Sequence, residues 1–362
     1  MGNKRVIVGM SGGVDSSVSA LLLKQQGYDV TGLFMKNWEE DDDSQLCSSK
    51  KDYDDVARVC DQIDIPYYSV NFAKEYKERV FNQFVEEYRQ GYTPNPDVLC
   101  NREIKFNVFF KKAIEQMGAD YLATGHYCQN NDALLQRGKD PSKDQTYFLY
   151  TIKAKELSKV IFPIGHLLKS QVREIALQHN LATSTKKDST GICFIGKRDF
   201  KDFLSNYLPL TPGKFETANG QVIGQHDGIA YYTIGQRKGL KIGGAGQAWF
   251  VVGKDVERNV VIVEQGEDHP LLYHKYLTAN EVSWINKEPT LPLRCSAKIR
   301  YRAADAPCVI ESSAKGSLVV TFDEPQKAIT PRQSVVFYDE ETCLGGAMID
   351  KPFNDIKELC LN

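Results

Sequence analysis

Seven residues, Ser11, Gly12, Gly13, Val14, Asp15, Ser16 and Ser17, stand directly behind the short apolar run Arg5 to Val8. The segment Ser16 to Gln25 follows and puts Val18, Leu21 and Leu22 on one helical face. An apolar run without polar alternation reads as a strand buried on both sides. Strand, glycine-rich turn and helix in that order make the opening unit of a parallel α/β sheet and leave few other folds open. The turn also has a chemical reading. Gly12 and Gly13 let the backbone curl until its N–H groups converge on a phosphate oxygen, and the helix start adds its dipole. Ser11, Ser16 and Ser17 can donate hydroxyl hydrogen bonds, and Asp15 can hold a magnesium ion. The lysine of a Walker A loop is missing. An ordinary serine-capped helix start uses the same residue types; the length of the string and its place behind the first strand favour a phosphate loop.

The strand–helix alternation continues. Asp29 to Met35 and Tyr67 to Val70 read as strands, Lys51 to Ile63 and Glu75 to Arg89 as helices. Glu103 to Met117 carries Phe106, Phe109, Ala113 and Met117 at helical spacing, and Tyr121 to Thr124 is a further strand. Repeated units of this kind predict a doubly wound parallel sheet with helices on both faces, over residues 1–206. Ligands on such sheets bind at the carboxyl ends of strands. Thereafter the pattern changes. Asn219 and Gly220, between Lys214–Thr217 and Val222–Gly224, signal a hairpin, and a small β-rich domain is expected over 207–271. Short β runs at Leu293 to Tyr301, Cys308 to Ser312, Ser317 to Phe322, Ser334 to Asp339 and Cys343 to Met348 predict a C-terminal β-barrel over 272–362. The acidic run Glu39 to Asp43 reads as a solvated loop.

No stretch approaches the ~20 apolar residues of a membrane helix, and Met1 to Met10 is too quickly broken for a secretory signal. A cytoplasmic protein is expected. A net charge of −2 does not announce a nucleic-acid binder, although patches matter more than totals. The chain carries nine cysteines, at 47, 60, 100, 128, 193, 295, 308, 343 and 360. An odd number so scattered is no disulfide framework, and no spacing reads as a zinc site.

Two of the nine have telling neighbours. Cys100 closes a loop, Thr93 to Asn101, in which Pro94 and Pro96 restrict the backbone. It lies just before the helix expected from Glu103, where a helix start would favour the thiolate. Asp97 is close enough in sequence to act as general acid or base. Cys193 ends the string that begins Asp188, Ser189, Thr190, Gly191, and has Lys186, Lys187, Lys197 and Arg198 around it. Taken singly, either cysteine reads as a small buried residue; both in polar loops punctuated by Gly or Pro, they read as a reactive pair. His126, in Gly125–Tyr127, reads by itself as a satisfied structural histidine. Lys298 to Arg302 reads as a solvated barrel strand, with Arg300 and Arg302 on one face and Tyr301 on the other.

The phosphate loop resembles that of the ATP-pyrophosphatase superfamily, whose fold is adenine-nucleotide alpha-hydrolase-like. A closer resemblance is to the tRNA 2-thiouridylase family. It rests on that loop, on Asn95, Pro96 and Asp97 with Cys100, on Lys143, Asp144 and Gln145, on Asp188 to Cys193, on Tyr232 to Gly239, and on Lys298 to Arg302, in the family's order and over nearly the whole chain. The resemblance implies ATP contacts from Gly9, Met10, Ser11, Gly12, Gly13, Val14, Asp15, Ser16, Met35 and Gly125. It implies target-base contacts from Asn95, Pro96 and Asp97, and tRNA contacts from His126, Lys143, Asp144, Gln145, Arg300, Tyr301 and Gln333. ATP and Mg2+ would adenylate the 2-oxygen of a wobble uridine. A persulfide on Cys193 would supply sulfur, and Cys100 would then form a disulfide with Cys193. Implied partners are tRNA for Lys, Glu and Gln, and a persulfide donor, either a relay protein or a cysteine desulfurase. An iron–sulfur cluster on Asp97, Cys100 and Cys193 is a less favoured variant. Rival readings are a small-molecule ATP-pyrophosphatase ligase, a non-catalytic RNA-binding protein and a dithiol oxidoreductase.

Overall fold

The computed structural model describes residues 3–38, 48–188, 200–209, 211–313 and 316–357. Among them seventeen strands fall into three sheets. In chain order, β1 (Arg5–Met10), β2 (Asp29–Lys36), β3 (Tyr67–Asn71) and β4 (Tyr121–Thr124) build the first sheet. A hairpin, β5 (Cys128–Asn131) and β6 (Leu134–Arg137), then leaves it, and β7 (Val160–Ile161) returns. The order is β3-β2-β1-β4-β7, parallel throughout. β1 is central, which is why its apolar run is unbroken. Ile7 faces a core with Phe106, Phe109 and Ala113. Val6 and Val8 face the opposite core, with Val18, Val59 and Val172. The sheet is thus covered by helices on both faces, as expected.

β8 (Gly213–Glu216), β9 (Val222–His226), β10 (Trp249–Asp255) and β11 (Val260–Gln265) form a four-stranded sheet in the order β10-β11-β8-β9. The expected hairpin joins β8 to β9, with Gly220 at φ +87°. The remaining strands are β12 (Tyr273–Trp284), β13 (Leu293–Lys298), β14 (Ala306–Ser312), β15 (Leu318–Lys327), β16 (Ser334–Asp339) and β17 (Thr342–Phe353). They pair as β12-β15-β14-β13-β16-β17, and β12 also pairs with β17. The six strands therefore close into a barrel, which removes its edges. Leu277, Ile310, Val320, Phe322, Val335 and Phe337 fill the interior.

Two elements differ from expectation. β13 stops at Lys298, so Arg300, Tyr301 and Arg302 lie in the turn that follows, not on a strand. Ala303 N–H closes that turn on Arg300 O at 3.1 Å, and Arg302 takes φ +67°. The antiparallel return to β14 requires this reversal. The second is the β5–β6 hairpin, whose turn residues Asp132 and Ala133 both have positive φ. That is the geometry of a tight hairpin usually announced by Gly, and alanine in its place hides the signal.

This hairpin joins the parallel sheet to the barrel. β6 pairs with β17 at Gln136 and Thr342. The Arg137 guanidinium lies 3.8 Å from the Tyr338 ring centre and 2.9 Å from Asp305. The Arg137 side chain is only 12% exposed, so its stacking on Tyr338 is shielded from water, while Asp305 stays open to solvent. Arg137→Ala should lower stability by about 2 kcal/mol in urea denaturation, from the lost charged hydrogen bond and ring contact. Arg137→Lys should recover less than half of that, since an ammonium cannot both stack and fork. A loss within ~0.5 kcal/mol, as for an ordinary surface site, would mean the joint is not carried by Arg137.

Candidate active site

The parallel register sets Gly9 opposite Thr124 and Met10 opposite Phe34. The loop after β1, Met35 near the end of β2, and Gly125 after β4 therefore open on one carboxyl edge. The chain order reverses between β1 and β4, the place where such sheets bind ligands. Gly12 has φ +72°, and a Cβ there would stand 2.5 Å from Asp52 O. Gly13 is extended and precedes the helix Val14–Gln25. The Ser16 and Ser17 hydroxyls donate to Gly13 O at 3.1 and 2.8 Å, and Ser11 N–H donates to Ser16 Oγ at 3.2 Å. Gly125 crosses this helix start so closely that a Cβ would lie 2.9 Å from Ser16 N.

Charged groups from far along the chain converge on the loop. Lys169 Nζ donates to both Asp15 carboxylate oxygens at 2.7 and 2.8 Å and pairs with Asp188 at 2.8 Å. The Tyr127 hydroxyl also donates to Asp15, at 2.7 Å. Burial, then the neighbouring Asp15 charge, push the Tyr127 phenol well above its ordinary range. Asp188 further accepts from Lys143 at 2.9 Å and Arg173 at 2.6 Å. Burial alone would raise its carboxyl pKa, but the hydrogen bonds from Lys169 and Lys143 outweigh it and hold the group at about 2. Lys186 Nζ caps the loop by donating to Gly12 O, Asp52 and Asp55 at 2.9, 2.7 and 2.6 Å. Burial opposes its charge, yet the two carboxylates raise its pKa.

Sequence reasoning missed Tyr127, Lys169 and Arg173 as site groups. A signal existed for Lys169: it opens the helix Lys169–Gln178, where the helix dipole disfavours a cation unless carboxylates face it. Asp188 is the head of the string that leads to Cys193; Cys193 itself lies outside the described residues. Among the described residues no group of three or more His, Cys, Asp or Glu side chains could hold a metal ion. Asp15 alone offers a loop carboxylate, a donor set that suits a magnesium ion arriving with phosphates rather than a protein-built cage.

The helix carrying Cys100 begins at Pro96, earlier than expected. Asn95 is its cap, accepting Asp97 N–H at 3.1 Å, and Pro96 takes the first helical position that its fixed φ favours. Cys100 is therefore not at a helix start: its N–H already bonds back to Pro96 O and Asp97 O. The dipole acts mainly within the first turn, so the expected thiolate stabilisation from it is corrected. From Cys100 to Phe109 the helix widens to π-type winding, with Phe106 out of helical geometry. Cys100 is 5% exposed and packs with Leu99, Ile104, Tyr76 and Phe203, in a cluster that Met35 also touches. Burial raises the Asp97 carboxyl pKa, partly offset by Lys105. Asn101 donates to Phe148 O at 3.1 Å.

The residues expected to touch RNA fall into two groups. His126 is buried, with Nδ1 2.8 Å from Thr124 Oγ1 and Nε2 3.3 Å from Lys105 Nζ. Burial, then Lys105, drive its pKa well down, so the ring is neutral and Nε2 accepts from the ammonium. Asp144 is buried too, accepting from Gly138 N–H and the Thr146 hydroxyl. Gln145 accepts from Tyr127 N–H at 2.9 Å. These three act as internal struts here. Lys143, Arg300, Tyr301 and Gln333 are partly exposed. Arg300 donates to Ala328 O, and burial lowers its pKa. The Tyr301 ring lies 4.4 Å from that of Phe148. Gln333 donates to Thr93 O.

Because the Asp188 pKa is depressed from 3.8 to about 2 on folding, its ion pairs stabilise fully above about pH 4 and their contribution disappears as pH falls through 2. After allowance for solvent screening, Asp188→Asn should cost ~1 kcal/mol at pH 7 in urea denaturation. The gap to wild type should close between about pH 4 and pH 2. A gap constant across that window would show that the carboxylate is not held by charge.

Comparison with known proteins matches this three-part fold. Residues 4–197 match the tRNA methyl transferase HUP domain, 201–265 the tRNA methyl transferase PRC-barrel domain, and 274–349 the aminomethyltransferase beta-barrel domain. The chain is 60% identical over 354 residues to tRNA-specific 2-thiouridylase MnmA of Protochlamydia amoebophila, covering 96% of this chain and 94% of that protein. It is 58% identical over 354 residues to MnmA of Alkaliphilus oremlandii, covering 96% and 97%. It is 56% identical over 357 residues to MnmA of Bacillus subtilis, covering 97% and 96%. Relatives this similar along almost the entire length make the chain a member of the tRNA-specific 2-thiouridylase family.

Proposed function

We propose that this protein is an ATP-dependent tRNA 2-thiouridylase, which replaces the 2-oxygen of a wobble uridine with sulfur and releases AMP and pyrophosphate. The observation that carries this reading is the Lys169 bridge. It ties Asp15 of the phosphate loop to Asp188 at the head of the Cys193 segment. Nucleotide activation and sulfur delivery thereby share one charged hub.

A uridine carbonyl does not surrender its oxygen to a sulfur nucleophile unaided. Attack of that oxygen on the α-phosphorus of ATP makes AMP the leaving group and expels pyrophosphate. The backbone of Ser11–Ser16 and Lys169 stabilise the charge that grows on the departing phosphates. Met35 lies against the adenine, and Gly125 lets the nucleotide approach the helix start. Asp15 would hold magnesium, which when bound neutralises phosphate charge. The terminal sulfur of a Cys193 persulfide then attacks carbon 2 and AMP leaves. Cys100 attacks the inner sulfur, which frees the 2-thiouridine and leaves a Cys100–Cys193 disulfide for an external reductant. Asp97, with its raised pKa, handles the proton. Persulfide chemistry is favoured over a cluster because each cysteine then has a separate role.

Residues 1–206 carry this chemistry, 207–271 form the central β-rich domain, and 272–362 present tRNA-contacting groups. The base leaves the anticodon stack to reach Asn95–Asp97. Lys143, Arg300, Tyr301 and Gln333 are the outward contacts. The tRNAs for Lys, Glu and Gln are the expected substrates, and a relay protein or a desulfurase loads Cys193. Among the described residues no helix is long and apolar enough to cross a membrane, which suits an enzyme that meets tRNA in the cytoplasm.

A mercury-containing gel, which retards thiolated RNA, tests the reading on unmodified Lys tRNA with ATP, magnesium and a persulfide donor. A retarded band should require ATP, Cys193 and Cys100. Lys169→Met should slow the single-turnover rate by about 10²-fold, as for loss of one preorganised charge donor. No band together with no tRNA binding would sink the proposal and favour a small-molecule ATP-pyrophosphatase ligase.

A further inference from the structure

The loop from Gly91 to Cys100 is tied to the barrel as well as to its own domain and to Lys254 of the central sheet, which donates to Gly91 O at 2.7 Å. Arg332, in the turn between β15 and β16, donates to Glu87 and, at 3.1 Å, to Glu281 of β12. The Glu87 side chain is 7% exposed and also accepts from Gln83 at 2.9 Å, so this charge is buried and depends on Arg332. Glu87 sits where the helix Asn82–Arg89 ends, and Tyr92 N–H bonds back to Glu87 O at 2.9 Å. Fixing Glu87 therefore fixes the start of the cysteine loop. The next barrel residue, Gln333, holds Thr93 O.

The far end of the loop is held in the same way. Arg102, two residues past Cys100, reaches Glu281 at 3.6 Å and Glu103 at 2.7 Å. Both ends thus meet at one barrel carboxylate, Glu281, through Arg332 and Arg102. The Arg332 turn is itself anchored: Arg332 N–H donates to Ile349 O, and Ile349 N–H donates to Gln333 O, each at 2.8 Å. Arg332 adopts φ +67°, a conformation that costs energy for a side chain of its size and persists only when its surroundings impose it.

We infer, given the sulfur-transfer role proposed above for Cys100, that Arg332 is a positioning residue that sets the placement of the Cys100 loop from the barrel. Removing it leaves Glu87 a buried carboxylate without its cation. The loop then opens locally while the parallel-sheet core stays intact. The Ser11–Ser17 loop, which makes no contact with Arg332 or Glu87, keeps its hydrogen bonds, so ATP binding is spared.

The test uses the full chain, reduced, as wild type, Arg332→Ala and Arg332→Lys. A brief iodoacetamide pulse is read residue by residue by mass spectrometry, with the buried Cys60, Cys128 and Cys343 reporting on the overall fold. Cys100 labelling should rise about tenfold in Arg332→Ala, with the three core cysteines unchanged. Arg332→Lys, which keeps a cation beside Glu87 but cannot also fork to Glu281, should restore only part of the protection. In thiolation assays kcat should fall about tenfold in Arg332→Ala, while the KM for ATP stays within about twofold. Unchanged Cys100 labelling, or labelling that rises in step with Cys60 and Cys128, overturns the assignment. Labelling needs neither ATP nor tRNA, so it decides the role of Arg332 even where the thiolation assay fails.

Discussion

One ammonium group, Lys169 Nζ, stands between two carboxylates that belong to different parts of the chemistry. Its side chain is 12% exposed, so each pair acts in a medium well below the dielectric of water. Asp15 comes from the first turn of the first helix and Asp188 from the threshold of the Cys193 string. Without Lys169 the two carboxylates would repel across the phosphate site; with it, they are fixed there. The arrangement also has spare capacity. Lys143 and Arg173 satisfy Asp188 independently, and Tyr127 satisfies Asp15. Lys169 can therefore turn toward incoming phosphates without leaving either carboxylate alone.

The barrel supplies the second constraint. Because β12 pairs with both β15 and β17, the six strands have no free edge and the turns between them are fixed in space. Two of those turns face the catalytic domain. One presents Tyr301 to Phe148, whose carbonyl holds Asn101 beside Cys100. The other presents Arg332 and Gln333 to the Glu87–Thr93 segment. The element expected to contact tRNA is thus also the one that frames the cysteine loop. Binding at the barrel and geometry at Cys100 are physically joined through a few named side chains.

How much of this was legible depended on the range of each signal. The phosphate loop and β1 were plain, because an unbroken apolar run followed by glycines has few other meanings. The β8–β9 hairpin was plain from Asn219 and Gly220. β12 passed unread: Asn280 and Glu281 interrupt it where its pairing with β17 shifts register, and Glu281 has φ +50°. The start of the Cys100 helix was misplaced although Asn95 and Pro96 form a standard cap. The prolines were read as loop markers instead. Arg300–Arg302 reads as strand from sequence because residue alternation cannot show where a barrel strand ends. The Lys169 hub leaves only a faint mark, a cation opening a helix, since Lys169 and Asp15 lie 154 residues apart in the chain and a single sequence carries no record of such pairings.

The correction at Cys100 changes where its chemistry must come from. A thiol at a helix start would feel the dipole, but Cys100 lies one turn further in and is buried. Asp97 occupies the favoured place instead, in the first turn and within the field of Lys105. Both influences favour its anion, yet burial outweighs them and its pKa is raised. A carboxyl displaced toward neutrality exchanges protons more effectively at physiological pH than an ordinary exposed aspartate. The loop thus places Asp97, the proton carrier proposed above, rather than Cys100, where the helix dipole is felt. That division suits the resolving role proposed for Cys100, whose proton would need a neighbouring carrier when it attacks the inner sulfur of the proposed Cys193 persulfide.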